Sequence, residues 1–410
     1  MPTSSVRRSR ARVTASAALG MLLVGIASVP AHAARERQWQ LDAMGAEEIW
    51  QLSTGKGVTV AVIDSGVDKD NPDLRGQVLK GKDFATGEPG DEFTDYSGHG
   101  TGMAGLIAGT GEREGGSGAF GLAPGAKILS VRVPGGETGE SSQTEANDEF
   151  NKVMPPAIRF AADSGAKVIN ISMAAYAGSQ ELTDAVKYAL DKGALVFAGV
   201  GNRAEKGNQP AYPASTPGVV GVGAVDDKAA RIPISQHGPQ VDLVAPGKDT
   251  VHACGGGTGV CRTTGTSDAT ALASAAAALL WAKHPDWTNN QVLKVMLNTV
   301  AKPLEGEARS DFVGYGAIRP LRTLKTPGDP GPADVRPIDD LAETATPGPS
   351  ASASAPGAPA PSDTSPAPAP QAAAADAGGG GTGLWIGLGI AAAVLLAGAV
   401  AVPVLRSRRG

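Results

Sequence analysis

The sequence predicts an α/β fold, in which a doubly wound and mostly parallel β-sheet carries helices on both faces. Two observations support this prediction. Short runs of β-branched and other apolar residues alternate along the chain with segments of helical periodicity. These runs are apolar almost throughout, as strands are when helices cover both faces of a parallel sheet. Because chemistry in such sheets gathers at the carboxyl ends of the strands, a functional site is expected in the turns that follow them.

The elements of this fold can be assigned in chain order. The predicted strands are residues 58–63, 127–133, 167–173, 194–198, 219–225 and 241–245. The predicted helices are residues 103–108, 155–164, 182–192, 271–280 and 288–300. The helix at 155–164 begins with proline, which helices tolerate in their first turn. The alanine-rich helix at 271–280 is predicted to be buried on all sides, since alanine lets neighbouring backbones approach closely.

The N-terminal part differs in composition from the domain predicted at residues 58–325. Residues 1–33 combine four arginines, a short apolar run and an Ala-His-Ala site. This is the pattern of a cleaved secretory signal peptide, with an uncleaved anchor as the alternative. Residues 34–57 are predicted to form an N-terminal arm that packs on the domain, because their apolar residues are partly at helical spacing.

The C-terminal part predicts attachment to a membrane. Residues 326–383 are rich in proline and alanine and poor in large apolar residues, so a disordered linker is expected. Residues 384–405 are apolar and long enough to form one transmembrane helix. Residues 406–410 form a basic tail, and basic residues remain on the cytoplasmic side. A single-pass membrane protein with an extracytoplasmic domain follows; the alternative is a removable C-terminal sorting tail.

Charge and cysteine content narrow the range of partners and cofactors. The chain has 36 Lys+Arg against 41 Asp+Glu, a net charge of −5, so nucleic acid is not expected as a partner. Cys254 and Cys261 flank a glycine-rich loop and, in an exported protein, are predicted to form a disulfide. Two buried free thiols are the alternative. No Cys/His spacing typical of a metal site is present, so the sequence predicts no cofactor.

Three side chains fit the requirements of nucleophilic catalysis. Ser267 is expected at a helix N-terminus, where backbone N–H groups and the helix dipole can stabilise a negative oxygen. His99, in a glycine-lined turn before a helix, could act as the base, and Asp64, at a strand end, could orient it. Their chain order is one of those known for a catalytic triad. The alternative is that each is structural: an N-cap, a helix-start residue and a loop cap.

The residues around these positions resemble the catalytic motifs of the subtilisin-like serine proteases. The matching segments are residues 60–68, 98–101 and 265–267, together with Gly-Asn at 201–202, Tyr-Pro-Ala at 212–214 and Val-Ala-Pro-Gly at 244–247. The resemblance covers residues 58–299. It implies an endopeptidase that hydrolyses peptide bonds through an acyl-enzyme on Ser267, with His99 as the base and Asp64 orienting it. Asn202 would then donate to the oxyanion.

The same resemblance implies properties of the substrate site. Ser172, Met173 and Ala174 would border the groove that binds polypeptide substrates. Structural calcium is possible in this family, but the sequence assigns no ligands for it.

The order of segments is similar to that of the mycosins, the membrane-anchored proteases of type VII secretion systems. Residues 39–44 and 284–288 also fit this narrower resemblance. It implies processing of exported substrates beside a type VII secretion membrane complex. Two alternatives remain: a non-catalytic structural component of a membrane secretion complex, and a general extracellular protease that degrades proteins broadly.

Asp268 departs from the family pattern, which usually has an apolar residue after the nucleophile. A carboxylate there, on the leaving-group side, is expected to raise the pKa of His99 by favouring its imidazolium. Asp268→Asn would then move the acidic limb of kcat/KM to lower pH. The alternative is that Asp268 is only a favourable charge at a helix N-terminus.

Overall fold

The computed structural model describes residues 38–113, 118–135, 142–257, 259–304 and 306–341. The helices of these residues are α1 (Trp39–Met44), α2 (Ala46–Leu52), α3 (His99–Ala108), α4 (Gln143–Asp163), α5 (Gln180–Asp191), α6 (Thr266–Lys283), α7 (Asn289–Thr299) and α8 (Pro320–Lys325). The strands are β1 (Thr59–Asp64), β2 (Val78–Asp83), β3 (Lys127–Arg132), β4 (Val168–Ile171), β5 (Leu195–Gly199), β6 (Val220–Val225), β7 (Leu243–Pro246), β8 (Thr250–Ala253) and β9 (Val260–Thr263).

The predicted segments at the two ends of the chain are mostly outside these residues. The signal peptide, the transmembrane helix, the basic tail and the linker from residue 342 onward all lie outside the described residues. In the part of the chain that the structure describes, no helix combines the length and apolar character needed to cross a membrane.

A seven-stranded sheet forms the centre of the described domain. Its strands follow the order β2-β3-β1-β4-β5-β6-β7, and every pairing is parallel. Side chains of β1 alternate between two apolar layers: Val60 and Val62 pack on one face, Ala61 and Ile63 on the other. Helices α3 and α6 cover the first face and α4 and α5 the second. The predicted α/β sheet with helices on both faces is confirmed.

Helix α6 runs through the first apolar layer and contacts β4, β5, β6 and β7. Nearly all of its residues are buried, including the four consecutive alanines from Ala275 to Ala278. Small side chains allow the helix to lie close to the sheet, as predicted, and its first turn is at the carboxyl ends of the strands.

Helix α4 differs from the prediction. It begins at Gln143, well before Pro155, and includes Pro155 and Pro156 in its interior. The Ser142 hydroxyl accepts the N–H of Glu145, while the Glu145 carboxylate accepts the N–H of Ser142. This capping box defines the start of the helix, so placing the start at a proline was wrong.

Three strands were not predicted. Strand β2 lies at the sheet edge and has no fully buried position, so it lacks the apolar run that marks the inner strands. Strands β8 and β9 form a separate antiparallel hairpin beside α3. Its residues are too few and too polar for a periodicity signal.

The packed domain extends beyond both predicted boundaries. On the N-terminal side, the predicted arm is present as α1 and α2, with Leu41 and Ile49 fully buried. On the C-terminal side, residues 326–341, expected in a disordered linker, pack on the domain. Ile338 is buried, and Asp340 accepts the N–H of Gly218 at 3.0 Å. The linker prediction was therefore wrong for residues 326–341, because a few anchoring side chains hold a proline-containing segment in place.

Candidate active site

A cleft of about 720 Å³ opens at the carboxyl ends of β1, β4 and β5. Seven of the residues selected from the sequence line it: Asp64, His99, Ser172, Met173, Ala174, Asn202 and Ser267. They come from five separate segments, and the parallel order of neighbouring strands brings them together. The fold therefore places the predicted residues where open α/β sheets carry their chemistry.

Asp64 and His99 form the closest polar pair in the cleft. Asp64 ends β1 and is fully buried, and its Oδ1 lies 2.7 Å from Nδ1 of His99. The N–H of Ser65 donates to the same oxygen at 2.8 Å. A carboxylate at Nδ1 requires the proton there, so Nε2 is the nitrogen that can exchange a proton with a bound molecule.

The charge around His99 favours its protonated form. Its pKa is raised from 6.5 to about 9, chiefly by the negative charge of Asp64 and also by the hydrogen bond between them. Burial acts in the opposite direction, while Asp268 and Asp95 add smaller increases. An unoccupied site therefore holds an imidazolium at neutral pH, and the free base becomes available as the pH rises towards 9.

Asp95 holds the turn that presents His99, a role that the sequence analysis missed. Its Oδ1 accepts the N–H of Gly98 at 2.9 Å, and its Oδ2 accepts the N–H and hydroxyl of Thr101 at 2.8 and 2.6 Å. Gly98 has a φ of 74°, in the left-handed region that glycine adopts without strain. An aspartate just before a helix start is a capping signal that could have identified Asp95.

Ser267 is the second residue of α6 and is half-buried. Its hydroxyl donates to the carbonyl oxygen of Ser172 at 3.3 Å, and among the hydrogen bonds of the described residues none joins it to His99. The predicted position at a helix N-terminus is confirmed.

Asn202 follows β5 and faces the cleft beside this helix. Its Oδ1 accepts the N–H of Thr266 at 2.9 Å. Because this bond occupies the amide oxygen, Nδ2 is the atom of this side chain that can donate hydrogen bonds to a ligand in the cleft.

Asp268 lies inside the protein and is not part of the cleft lining. It is 2% exposed, and its Oδ1 accepts the hydroxyl groups of Thr250 and Thr263 from the hairpin. The expected carboxylate on the leaving-group side of the cleft is therefore not found. Asp268 does lie in the first turn of α6, where a negative charge is favourable.

The hairpin is closed by the predicted disulfide. Cys254 and Cys261 are bonded near its tip, so the alternative of two free thiols is excluded. The side chain of Asn71 donates to the carbonyl oxygen of Cys254 at 2.6 Å and ties the tip to the domain. The disulfide thus fixes the segment that leads into Ser267.

No group of three or more His, Cys, Asp or Glu side chains among the described residues could hold a metal ion. That the protein uses no cofactor stays a prediction from the sequence. That it can hold structural calcium stays a prediction from the family resemblance.

Residues 55–316 match the model of the subtilase family, peptidase S8. The chain belongs to the subtilase family.

Two curated relatives show how far the similarity of this subtilase extends. It is 35% identical over 271 residues to the thermophilic serine proteinase of Bacillus sp. (strain AK1), covering 66% of this chain and 62% of that protein. It is 36% identical over 241 residues to subtilisin E of Bacillus subtilis (strain 168), covering 58% of this chain and 59% of that protein. The chain spans about three fifths of the length of these relatives.

Among solved structures, this subtilase is similar to proteins of type VII secretion systems. The MycP3 protease from the ESX-3 system is 30% identical, with a TM-score of 0.63 over 71% of this chain and 88% of that one. A chain of the periplasmic assembly from the ESX-5 inner membrane complex is 28% identical, with a TM-score of 0.64 over 79% of this chain and 90% of that one. The mycosin resemblance seen in the sequence is confirmed.

Proposed function

We propose that this subtilase is a serine endopeptidase that hydrolyses peptide bonds through an acyl-enzyme on Ser267. One observation carries the proposal: the 2.7 Å contact between Asp64 and His99 lies in the same cleft as a serine at a helix N-terminus. Family membership supports it, since the same three residues lie within the matched segment.

The reaction would begin with transfer of the Ser267 hydroxyl proton to Nε2 of His99. As the Ser267 oxygen attacks the scissile carbonyl, Asp64 stabilises the imidazolium and keeps its orientation. Nδ2 of Asn202 and the backbone N–H of Ser267 would donate to the oxyanion. His99 then protonates the leaving amine, and water hydrolyses the acyl-enzyme by the same route. Because the Ser267 hydroxyl donates to the Ser172 carbonyl, it would first have to turn towards His99.

Ser172, Met173 and Ala174 would bind the polypeptide substrate upstream of the scissile bond. They follow β4 directly and line the cleft, so their backbone is placed to pair with an extended peptide. Met173 packs against the second apolar layer and would give this surface a fixed position.

For the cell, we propose a membrane-anchored protease whose domain acts outside the cytoplasmic membrane on substrates of a type VII secretion system. Anchoring is supported by the apolar segment at residues 384–405 and the basic tail. Association with a secretion complex is supported by the likeness to a chain of the ESX-5 inner membrane complex. In cells, Ser267→Ala should abolish substrate processing, while co-purification with the complex should persist. Normal processing by this variant would contradict an enzymatic role.

A fluorophosphonate probe tests the nucleophile directly. The purified full-length chain should be labelled, and Ser267→Ala should abolish the labelling. Ser310→Ala is the matched control, because Ser310 lies outside the cleft lining and its loss should leave labelling intact. Labelling that survives Ser267→Ala would refute the assignment of the nucleophile.

A further inference from the structure

The charged side chains of the cleft lie towards two different ends of it. Among the described residues that line it, the carboxylates are Asp64 and Glu149, and the arginine and lysine are Arg203 and Lys206. The Asp64 carboxylate is buried against His99, so its charge already has a partner. Glu149, on α4, also lines a second cavity beside β2, at the far edge of the sheet. The end of the cleft that follows β5 is therefore basic.

Arg203 directly follows Asn202, the proposed donor to the oxyanion. The N–H groups of Lys206 and Asn208 donate to the carbonyl oxygen of Arg203 at 2.9 and 3.2 Å, and these bonds hold the turn in place. Glu205, the acidic residue of the same turn, is exposed and is not among the residues that line the cleft. The turn therefore presents two positive side chains to the cleft and keeps its negative one outside.

The segment after β4 forms the facing wall of this basic end. The Arg203 guanidinium lies over the ring of Tyr176, with Cζ 5.1 Å from the ring centroid. The N–H of Tyr176 donates to Oδ1 of Asn147 on α4 at 2.9 Å, and Ala175 exchanges backbone hydrogen bonds with Tyr212 at 2.8 and 3.0 Å. Stacking on a ring that is anchored in this way orients a guanidinium. Arg203 therefore holds a defined position across this end of the cleft.

The position of Arg203 identifies the substrate residue that reaches it. A scissile carbonyl that is attacked by Ser267 and held by Asn202 belongs to the residue immediately upstream of the cleaved bond. The side chain of that residue leaves from the atom next to the carbonyl carbon, and Arg203 is the residue next to Asn202. The lining residues Ala174 and Gly199 on either side are small, which leaves room for a substrate side chain. The residue before the scissile bond is therefore the one that meets the basic end.

We propose that the basic end of the cleft binds an acidic side chain, so that cleavage is more efficient after an acidic residue than after its neutral or basic counterpart. Arg203 pairs with the carboxylate through parallel N–H···O bonds in the plane of the guanidinium, and Lys206 adds a second positive charge. The proposal rests on the proposed function and deepens it, because it names the class of peptide bond that is cleaved. Arg203 and Lys206 are thus specificity residues, which contact the substrate side chain and not the reacting bond.

Cleavage of matched peptides by the purified full-length chain tests this preference. The peptides differ only in having glutamate, glutamine or lysine before the scissile bond, and kcat/KM is measured for each. Glutamate and glutamine have nearly the same shape, so the ratio of their kcat/KM values isolates the effect of charge. The glutamate peptide should be favoured by about tenfold, and the ratio should fall in about 1 M salt, which screens the ion pair. A ratio near one, or a preference for the lysine peptide, would overturn the proposal.

Variants of the two basic residues show whether they cause the preference. Arg203→Gln should lower the glutamate-to-glutamine ratio by about fivefold, and Lys206→Gln, at an exposed position that folding does not depend on, by about twofold. Arg203→Lys should give an intermediate ratio, because it keeps the charge and loses the two parallel bonds. The matched control is Lys228→Gln, which removes an exposed positive charge outside the cleft lining and should leave the ratio unchanged. A ratio that neither Arg203→Gln nor Lys206→Gln lowers would contradict the assignment.

Binding separates this proposal from the proposed hydrolysis. Ser267→Ala, which cannot form an acyl-enzyme, should bind a fluorescent glutamate peptide about tenfold more tightly than the glutamine peptide, as measured by anisotropy. Adding Arg203→Gln to this variant should remove most of the difference. Equal dissociation constants for the two peptides would overturn the recognition of charge, whatever the rate of hydrolysis. A wild type that shows neither hydrolysis nor fluorophosphonate labelling, with the difference in binding retained, would refute the proposed function and support the basic binding site.

Discussion

Replacing Asp64 by asparagine should change stability in a way that depends on pH. Asp64 raises the pKa of His99 from 6.5 to about 9, mainly through its charge at 2.7 Å. Without screening, such a shift corresponds to about 3 kcal/mol. The His99 side chain is 36% exposed, so solvent screening reduces the contribution to about 1–2 kcal/mol.

The sign follows from the direction of the shift. Because His99 binds its proton more tightly in the folded state, the stabilisation is complete below pH 6.5 and is lost as the pH rises through about 9. Asp64→Asn removes this stabilisation. Asp64→Asn should therefore lower the free energy of unfolding at both pH values. The loss relative to the wild type should be larger by about 1–2 kcal/mol at about pH 6 than at about pH 10.

Urea unfolding of the full-length chain at these two pH values measures the difference. Asp227→Asn is the matched control, since Asp227 is exposed and the ion pairs found among the described residues do not include it, so its effect should be the same at both pH values. Asp64→Asn should also lower kcat by about 10⁴, as loss of the aspartate does in other triads. An equal loss of stability at both pH values would refute the argument that Asp64 sets the charge of His99.

Other consequences can be tested in the same preparations. Asn202→Ala should lower kcat by about 10²–10³, the effect known for loss of this donor in a subtilisin, with little change in KM; an unchanged kcat would remove Asn202 from the oxyanion site. Asp95→Ala should lower kcat/KM by up to about 10²-fold, because the turn bearing His99 loses its anchor. The acidic limb of its pH profile should also move to lower pH, and an unmoved limb would contradict the role of the Asp95 charge. Replacing both Cys254 and Cys261 by serine should lower the free energy of unfolding by about 2–3 kcal/mol, measured by urea unfolding; reduction of the wild type should have the same effect, and no loss would show that the hairpin is held without the disulfide.

Much of the fold follows from local sequence patterns. The apolar runs that became β1, β4 and β6 identify strands covered on both faces, because such strands have no polar side to display. The alanine-rich run that became α6 identifies a helix packed closely on the sheet. The signal for the start of α4 is equally local, since the capping box from Ser142 to Glu145 is visible in the sequence, although Pro155 further along is the more conspicuous helix-start signal.

The composition of the site was also available from the sequence, whereas its arrangement was not. A nucleophile, a base and an orienting carboxylate need particular side chains. Asp64, His99 and Ser267 could therefore be identified from their residue types, their order in the chain and the glycines next to them. Only the order of strands in the sheet brings the three into one cleft, since they are far apart along the chain.

What the tertiary structure alone decided is the partner of each polar group. The sequence determined that Asp268 would follow the nucleophile, but not that its side chain would meet Thr250 and Thr263 in the interior. Likewise, composition suggested disorder for residues 326–341, yet Ile338 and Asp340 fasten this segment to the domain. The physical reason is the same in both cases: local patterns report which surfaces a segment must bury, while contacts between distant residues determine what they are buried against.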